Sequence, residues 1–295
     1  MKVSERKSRF ADIAGRLDME AVGLAIRTDE TGLEIVGTNP GQIPAFDLDT
    51  VGEMVWTAGE RWLAEDLERY PFIQVQQKGR FNLGAKRPLS QVLDIIFYDN
   101  DKKPWVVVDW KARIAGEVDS YWGYRQSDSW QGKFYLATTG AKGFFYRGVD
   151  TKLGVREIPI KSSALVEGHV SSAEVMYESL LTTRSEGPWP MNKPSSCRRG
   201  RDYTCQFLND CHELSGGSPP LIQVRNRDTL SHSFLTSFLD CPERARREEL
   251  LAAQDEAKVR TYEMDIGRAF DRGVSEVWRQ AFGHRCLEVF KEGEL

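Results

Sequence analysis

LDIIFYDNDKKPWVVVDWKAR, residues 93–113, reads as a β-hairpin carrying three charged groups. Residues 93–98 are a short apolar run, 99–104 hold polar and charged residues and a proline, and 105–110 are a second apolar run rich in valine. That is the pattern of strand, turn and strand. Side chains alternate across a strand, so Asp109 and Lys111 project from one face while Val106, Val108 and Trp110 point to the other. Asp94 falls on the neighbouring strand.

Aspartate is depleted in strands, and charges are seldom buried without partners. A divalent metal resolves that cost. Asp94 and Asp109, joined by the backbone carbonyl of Trp110, make a hard oxygen site suited to Mg²⁺ or Mn²⁺ with waters left in place. Lys111, partly desolvated and beside a metal, would have its ammonium form disfavoured and would orient or deprotonate a nucleophilic water. The chemistry expected is metal-assisted phosphodiester hydrolysis. An Asp-x-Lys triplet alone equally marks a surface hairpin whose two charges pair with each other. Here the pattern is longer, with strand-like residues before each carboxylate and fourteen residues between Asp94 and Asp109.

This arrangement resembles the PD-(D/E)xK nuclease superfamily and, within it, the RecB-like exonucleases, although Leu93 stands where the motif has proline. The resemblance implies an α/β restriction-endonuclease-like core, a mixed central sheet flanked by helices, acting on DNA. RecB-like nucleases carry a Gly-x3-His-x3-Glu helix before these strands. Gly52, Trp56 and Glu60 match it with tryptophan in place of histidine, which makes Glu60 a third acidic ligand by resemblance and Glu53 its reserve. Gln131-x3-Tyr135 resembles the Gln-x3-Tyr helix that follows Asp-x-Lys and faces the DNA backbone. An amide and a phenol can hold a phosphate without adding charge.

The outer bounds agree with a globular protein. The chain has 295 residues, of which 40% are hydrophobic and 11% aromatic, enough for a proper core. No run approaches the roughly eighteen apolar residues of a membrane span, and no apolar segment follows the N-terminal MKVSERKSRF, so the expected compartment is the cytoplasm with no membrane partner. The formal charge of −4 gives no global attraction to nucleic acid, so DNA contact would depend on local basic surface. Candidate patches are Lys78, Arg80, Lys86 and Arg87, then Arg198, Arg199 and Arg201, then Arg244, Arg246 and Arg247. Lys86 and Arg87 lie just before the hairpin and are the preferred DNA contacts.

Along the chain, the sequence predicts a short helix over 10–17, a strand over 32–37, a turn at Asn39-Pro40-Gly41, and a helix over 51–70 capped by Asp49 or Thr50. That helix buries Val55, Gly59, Trp62, Leu63, Leu67 and Tyr70. A second helix is expected over 119–137, stacking Tyr124, Asp128, Gln131 and Tyr135, with Tyr121, Trp122 and Trp130 packed on the sheet. Closing strands follow over 143–147 and 155–160.

Beyond a linker rich in proline and serine, GPWPMNKPSSC, three cysteines stand at Cys197, Cys205 and Cys211. None forms a Cys-x2-Cys knuckle, though His212 keeps zinc open. The spacing resembles the iron-sulfur branch of the RecB-like family, which implies a [4Fe-4S] cluster whose fourth ligand here would be Cys241. Residues 230–250, LSHSFLTSFLDCPERARREEL, resemble the opening segment of RecB-like nucleases, and Ile266-Gly267-x3-Asp271 resembles their Gly-x3-His helix with Asp for His. Either that element is permuted to this end of the sequence or a second copy begins here. The expected division is a nuclease-like core over 1–190, a cysteine-rich linker over 191–228 and a helical segment over 229–295.

The function expected is a Mg²⁺- or Mn²⁺-dependent DNA exonuclease, in DNA recombination or repair, with a recombinase or helicase as partner. The alternatives are a catalytically weakened DNA-binding scaffold and an iron-sulfur or zinc module of a larger helicase-nuclease assembly. No Gly-x4-Gly-Lys-Ser/Thr loop is present, so no ATPase is recognisable in the chain.

Overall fold

The computed structural model describes residues 3–27, 46–81, 87–114, 116–127, 129–160, 166–183, 189, 198–199, 203–204, 230–253 and 262–287. Two compact units are present, one drawn from 1–79, 92–163 and 260–295, the other from 80–91 and 164–259. This division does not follow chain order as expected from the boundaries at 190 and 228. The reason is packing: the last long helix belongs to the core built by the hairpin, whereas residues just before the hairpin pair with a strand at 230–231.

The hairpin is longer than its apolar runs. Strand β2 (Leu89–Tyr98) pairs antiparallel with β3 (Pro104–Arg113), with Ile95 opposite Val108 and Phe97 opposite Val106. Asp99 makes the turn, its Oδ1 accepting from the backbone N–H of Asp101 at 3.0 Å and of Lys103 at 2.9 Å. Those bonds offset the cost of holding Lys102 at a left-handed φ of 56°, a conformation unusual outside glycine.

A mixed five-stranded sheet forms around this pair in the order β1-β2-β3-β4-β5, where β1 is Phe72–Phe81, β4 Gly143–Asp150 and β5 Val155–Ile160. β4 runs parallel to β3, and β5 returns antiparallel to β4. A parallel neighbour requires a crossover, and two helices supply it: α5 (Ser120–Ser127) and α6 (Trp130–Thr139). The sequence predicts one helix here. Ser129 breaks it by adopting an extended backbone with ψ 129°, and Gly140 ends α6 at a left-handed φ of 64°, as glycine commonly does. The break also undoes the expected stacking: Tyr124 and Tyr121 face solvent, while Trp122 is buried.

The opposite face of the sheet is covered by the remaining helices of this unit. These are α1 (Val3–Ala14), α2 (Met19–Arg27), α3 (Phe46–Ala58), which continues through a π turn (Gly59–Leu63) into α4 (Ala64–Arg69), and α10 (Tyr262–Phe282). The helix read at 51–70 therefore starts earlier than its periodicity suggests and carries an inserted residue at Gly59, where the Phe10 ring occupies the space a Cβ would need. The helix read at 10–17 likewise starts earlier, while the expected strand at 32–37 and the Asn39-Pro40-Gly41 turn lie outside the described residues. Val106, Val108 and Trp110 of β3 point into this layer with Ile95 and Phe97 of β2. Trp110 is met edge-on by Trp62 at 5.4 Å and Trp278 at 5.2 Å, each ring worth about 2 kcal/mol or more of apolar burial. Arg147 of β4 lies between the Trp62 and Trp110 rings, at 5.2 and 5.6 Å, and its charge is met by Asp66 and Glu157.

The second unit holds Leu89 and Ser90, paired parallel with β8 (Leu230–Ser231), the short pair β6 (Arg198–Arg199) and β7 (Tyr203–Thr204), and three helices, α7 (Val166–Thr183), α8 (His232–Asp240) and α9 (Pro242–Ala253). Ser231 caps α8 through its side chain, which accepts from the Phe234 N–H, the role serine fills best. Tyr177, Trp189, Phe234 and Phe238 form its aromatic core.

Candidate active site

The three groups that the sequence places on the hairpin meet where β2 and β3 stop pairing. Asp94 lies one residue beyond the last matched pair and turns its Oδ2 to the Trp110 backbone N–H at 2.8 Å. Asp109 is buried and forms an ion pair with the Lys111 ammonium. Strand alternation puts both on the face away from Trp110, as the sequence requires.

Helix α6 closes this face. Gln131 donates through Nε2 to Asp109 Oδ1 at 3.1 Å and to Tyr135 Oη at 2.9 Å, and Tyr135 donates onward to the Val92 carbonyl at 3.0 Å. The helical spacing of four brings amide and phenol together. A continuous hydrogen-bonded chain thus runs from one hairpin strand, through α6, to the other. Glycine at 132 permits the approach, because a Cβ there would stand 2.8 Å from Ile160 and 2.9 Å from Phe144.

A fourth charged group comes from far along the chain. The buried stripe of α10, Ile266, Phe270, Val274, Val277 and Trp278, recurs at helical spacing and fixes the helix's rotation against β3. Asp271 follows Phe270 and so sits at the flank of that stripe, where it feels the charges of Asp94, Lys111 and Asp109. Its Oδ1 is closed off from solvent and accepts no hydrogen bond. The sequence carried a signal for it in Gly267-x3-Asp271, but nothing local connects that motif with Asp94. Tyr146 was missed altogether: it stands opposite Asp109 in the β3–β4 register, with its ring 5.5 Å from the Lys111 ammonium.

The electrostatics show a cluster short of positive charge. Burial, with the nearby Asp109 carboxylate, pushes Asp94 up to about 7. Burial likewise raises Asp109 and lifts Asp271 well above the ordinary carboxylate range. Burial opposes the charge on Lys111, yet the carboxylates of Asp109 and Asp94 outweigh it and hold the ammonium above its usual range. Without a cation's charge in the balance, one lysine answers more than one carboxylate, and its ammonium is strengthened; the weakened ammonium expected from the sequence is that of a lysine beside a bound metal.

Other expected site residues are placed elsewhere. The Glu60 carboxylate accepts from Trp56 Nε1 at 3.3 Å and faces Lys7 at 3.5 Å, so its partners come from α1 and its own helix. Arg87 belongs to the second unit, where its guanidinium pairs with Glu178 and Glu174 and lies over the Tyr177 ring. The patch at Arg244, Arg246 and Arg247 is answered by Asp240 and Glu243. Lys86, Cys197, Cys205 and Cys211 lie outside the described residues. Cys241 is buried at the junction of α8 and α9 and forms no disulfide. Among the described residues, no three His, Cys, Asp or Glu side chains stand together as a ready-made metal centre, and no helix is long and apolar enough to cross a membrane.

In comparisons with known proteins, no family model, no curated protein and no solved structure matches the chain. What it does has to be read from its own residues.

Proposed function

We propose that this chain is a Mg²⁺- or Mn²⁺-dependent deoxyribonuclease of RecB-like exonuclease type, built on a restriction-endonuclease-like core. The observation that carries the reading is the grouping of Asp94, Asp109 and Lys111 on the hairpin, with Gln131 and Tyr135 bonded beside them and Asp271 of α10 feeling their charges. No three-carboxylate centre stands ready-made among the described residues, but the chemistry of the donors suits a divalent cation: Asp94, Asp109 and Asp271 are buried or half-buried, feel one another's charge, and are shifted toward their protonated forms, and Asp271 keeps an oxygen with no hydrogen bond. Asp94, Asp109 and Asp271, with the Trp110 carbonyl, would hold the ion. Glu60 drops out of the set because its partners lie on α1 and α3. A permuted arrangement of the RecB-like element accounts for α10 serving the same core as the hairpin.

When bound, a divalent ion supplies positive charge against the charge that develops on the scissile phosphate. The protein's own groups do the rest. Lys111, held at the site by its ion pair with Asp109, would orient the attacking water through its hydrogen-bond donors. Gln131 and Tyr135, now bonded to Asp109 and Val92, can turn their donors to a phosphate oxygen, which fixes the backbone without reading bases.

The test is digestion of end-labelled single- and double-stranded DNA with Mg²⁺, Mn²⁺ or EDTA. Cleavage should require the metal, and Lys111→Ala should lower the rate about 100-fold or more while leaving metal binding in place. A Lys111→Ala protein that cuts at the wild-type rate overturns the assignment. Metal-dependent DNA binding without cleavage in the wild type would favour the scaffold instead.

A further inference from the structure

From the geometry around β4 we infer that Tyr146 is a positioning residue for this site, its ring seating the Lys111 ammonium while its hydroxyl holds the N-cap serine of the helix that carries Gln131. The inference rests on Lys111 and Gln131 being the working groups proposed above.

The sheet register places the residue. β3 and β4 run parallel with Asp109 opposite Tyr146 and Lys111 opposite Gly148, so Tyr146 shares the face of Asp109 and Lys111. Gly148 offers Lys111 no side chain, and the space above it is filled by Trp122, whose ring would lie 2.6 Å from a Cβ there. The lysine therefore leans toward Tyr146, with Nζ 5.5 Å from the ring centroid, within the range at which a ring face attracts a cation. The ring is fully buried and is held in turn by Phe144, edge-on at 4.8 Å.

The hydroxyl has a second task. Ser129 occupies the N-cap of α6, yet its side chain makes no capping hydrogen bond. Its Oγ is instead hydrogen-bonded to Tyr146 Oη at 2.8 Å. A tyrosine from the sheet thus holds the residue from which α6 starts. Gln131 is two residues on from Ser129, so the first turn of α6, and with it the amide on Asp109, is fastened to β4 through one phenol. Ring and hydroxyl together set the relative positions of Lys111, Asp109 and Gln131.

The test separates the two tasks and does not depend on catalysis alone. In protein labelled with ¹³C and ¹⁵N on lysine, the Lys111 ε-methylene signal, assigned by its loss in Lys111→Arg, should be shifted upfield by the ring in the wild type. Tyr146→Phe should keep that shift, and Tyr146→Leu should abolish it. In the digestion assay, Tyr146→Phe should raise KM about fivefold with kcat held, matching the loss of one net hydrogen bond in α6, and should add nothing to Gln131→Ala. Tyr146→Leu should lower kcat as well. An unshifted Lys111 signal in the wild type overturns the ring contact without any variant needing to fold. Full additivity of Tyr146→Phe and Gln131→Ala overturns the role of the hydroxyl. If the wild type cuts no DNA yet shows the shifted, ring-dependent Lys111 signal, the nuclease reading fails and the seating of the lysine stands.

Discussion

Metal-free protein should lose stability as pH rises, and Asp94 should be a main cause. A carboxylate whose folded value is about 7 against 3.8 in the free chain binds its proton more tightly when folded. Its contribution to stability is therefore fully present below about pH 4 and is lost as pH climbs through about 7, at about 1.4 kcal/mol per pH unit within that window. Between about pH 5 and about pH 8 the loss amounts to about 2–3 kcal/mol. Asp109 and Asp271 are shifted in the same direction and steepen the slope. Urea unfolding in EDTA at the two pH values reads this directly. Asp94→Asn keeps an oxygen for the Trp110 N–H but removes the titration, so its loss over the same interval should shrink by most of that amount. Adding Mg²⁺ at the higher pH should restore stability to the wild type, because the ion favours the ionised carboxylates. Wild type and Asp94→Asn falling in parallel from the lower to the higher pH would refute the picture of a buried, charge-deficient cluster.

Three further outcomes are expected. Asp271→Asn should weaken Mn²⁺ binding by calorimetry and lower metal-dependent cleavage by about 10–100-fold, whereas Glu60→Gln should stay close to wild type; a reversed ranking would return Glu60 to the ligand set. Arg147→Met should cost about 3–5 kcal/mol in urea unfolding, since it strands Asp66 against Trp278 Nε1 in a closed core. The deficit should be smaller near pH 5, because burial already raises Asp66 and protonation relieves the stranded charge. Gly132→Ala should destabilise by about 1–3 kcal/mol through the collision with Ile160 and Phe144, and the displaced α6 should raise KM for DNA as Gln131→Ala does.

What the sequence settled by itself was local. Two apolar runs about a proline-ended turn specify the hairpin, and the two-residue spacing of Asp109 and Lys111 puts them on one face whatever else packs there, because strand geometry depends only on neighbours in the chain. The spacing of four between Gln131 and Tyr135 likewise survives, since it belongs to one turn of helix. Wherever an outcome depended on distant groups, the tertiary structure decided it. The helix at 119–137 divides at Ser129, whose hydroxyl bonds Tyr146 of the sheet across the crossover. Glu60 turns to Lys7 because a π turn at Gly59 shifts the helix's phase where Phe10 packs. Arg87 answers Glu174 and Glu178. Asp271 joins Asp94 only because the apolar stripe of α10 is buried against Trp110, which fixes the rotation of a helix far away in the chain. Periodicity can say that a helix has such a stripe; only the surface that buries it determines which charges stand beside it.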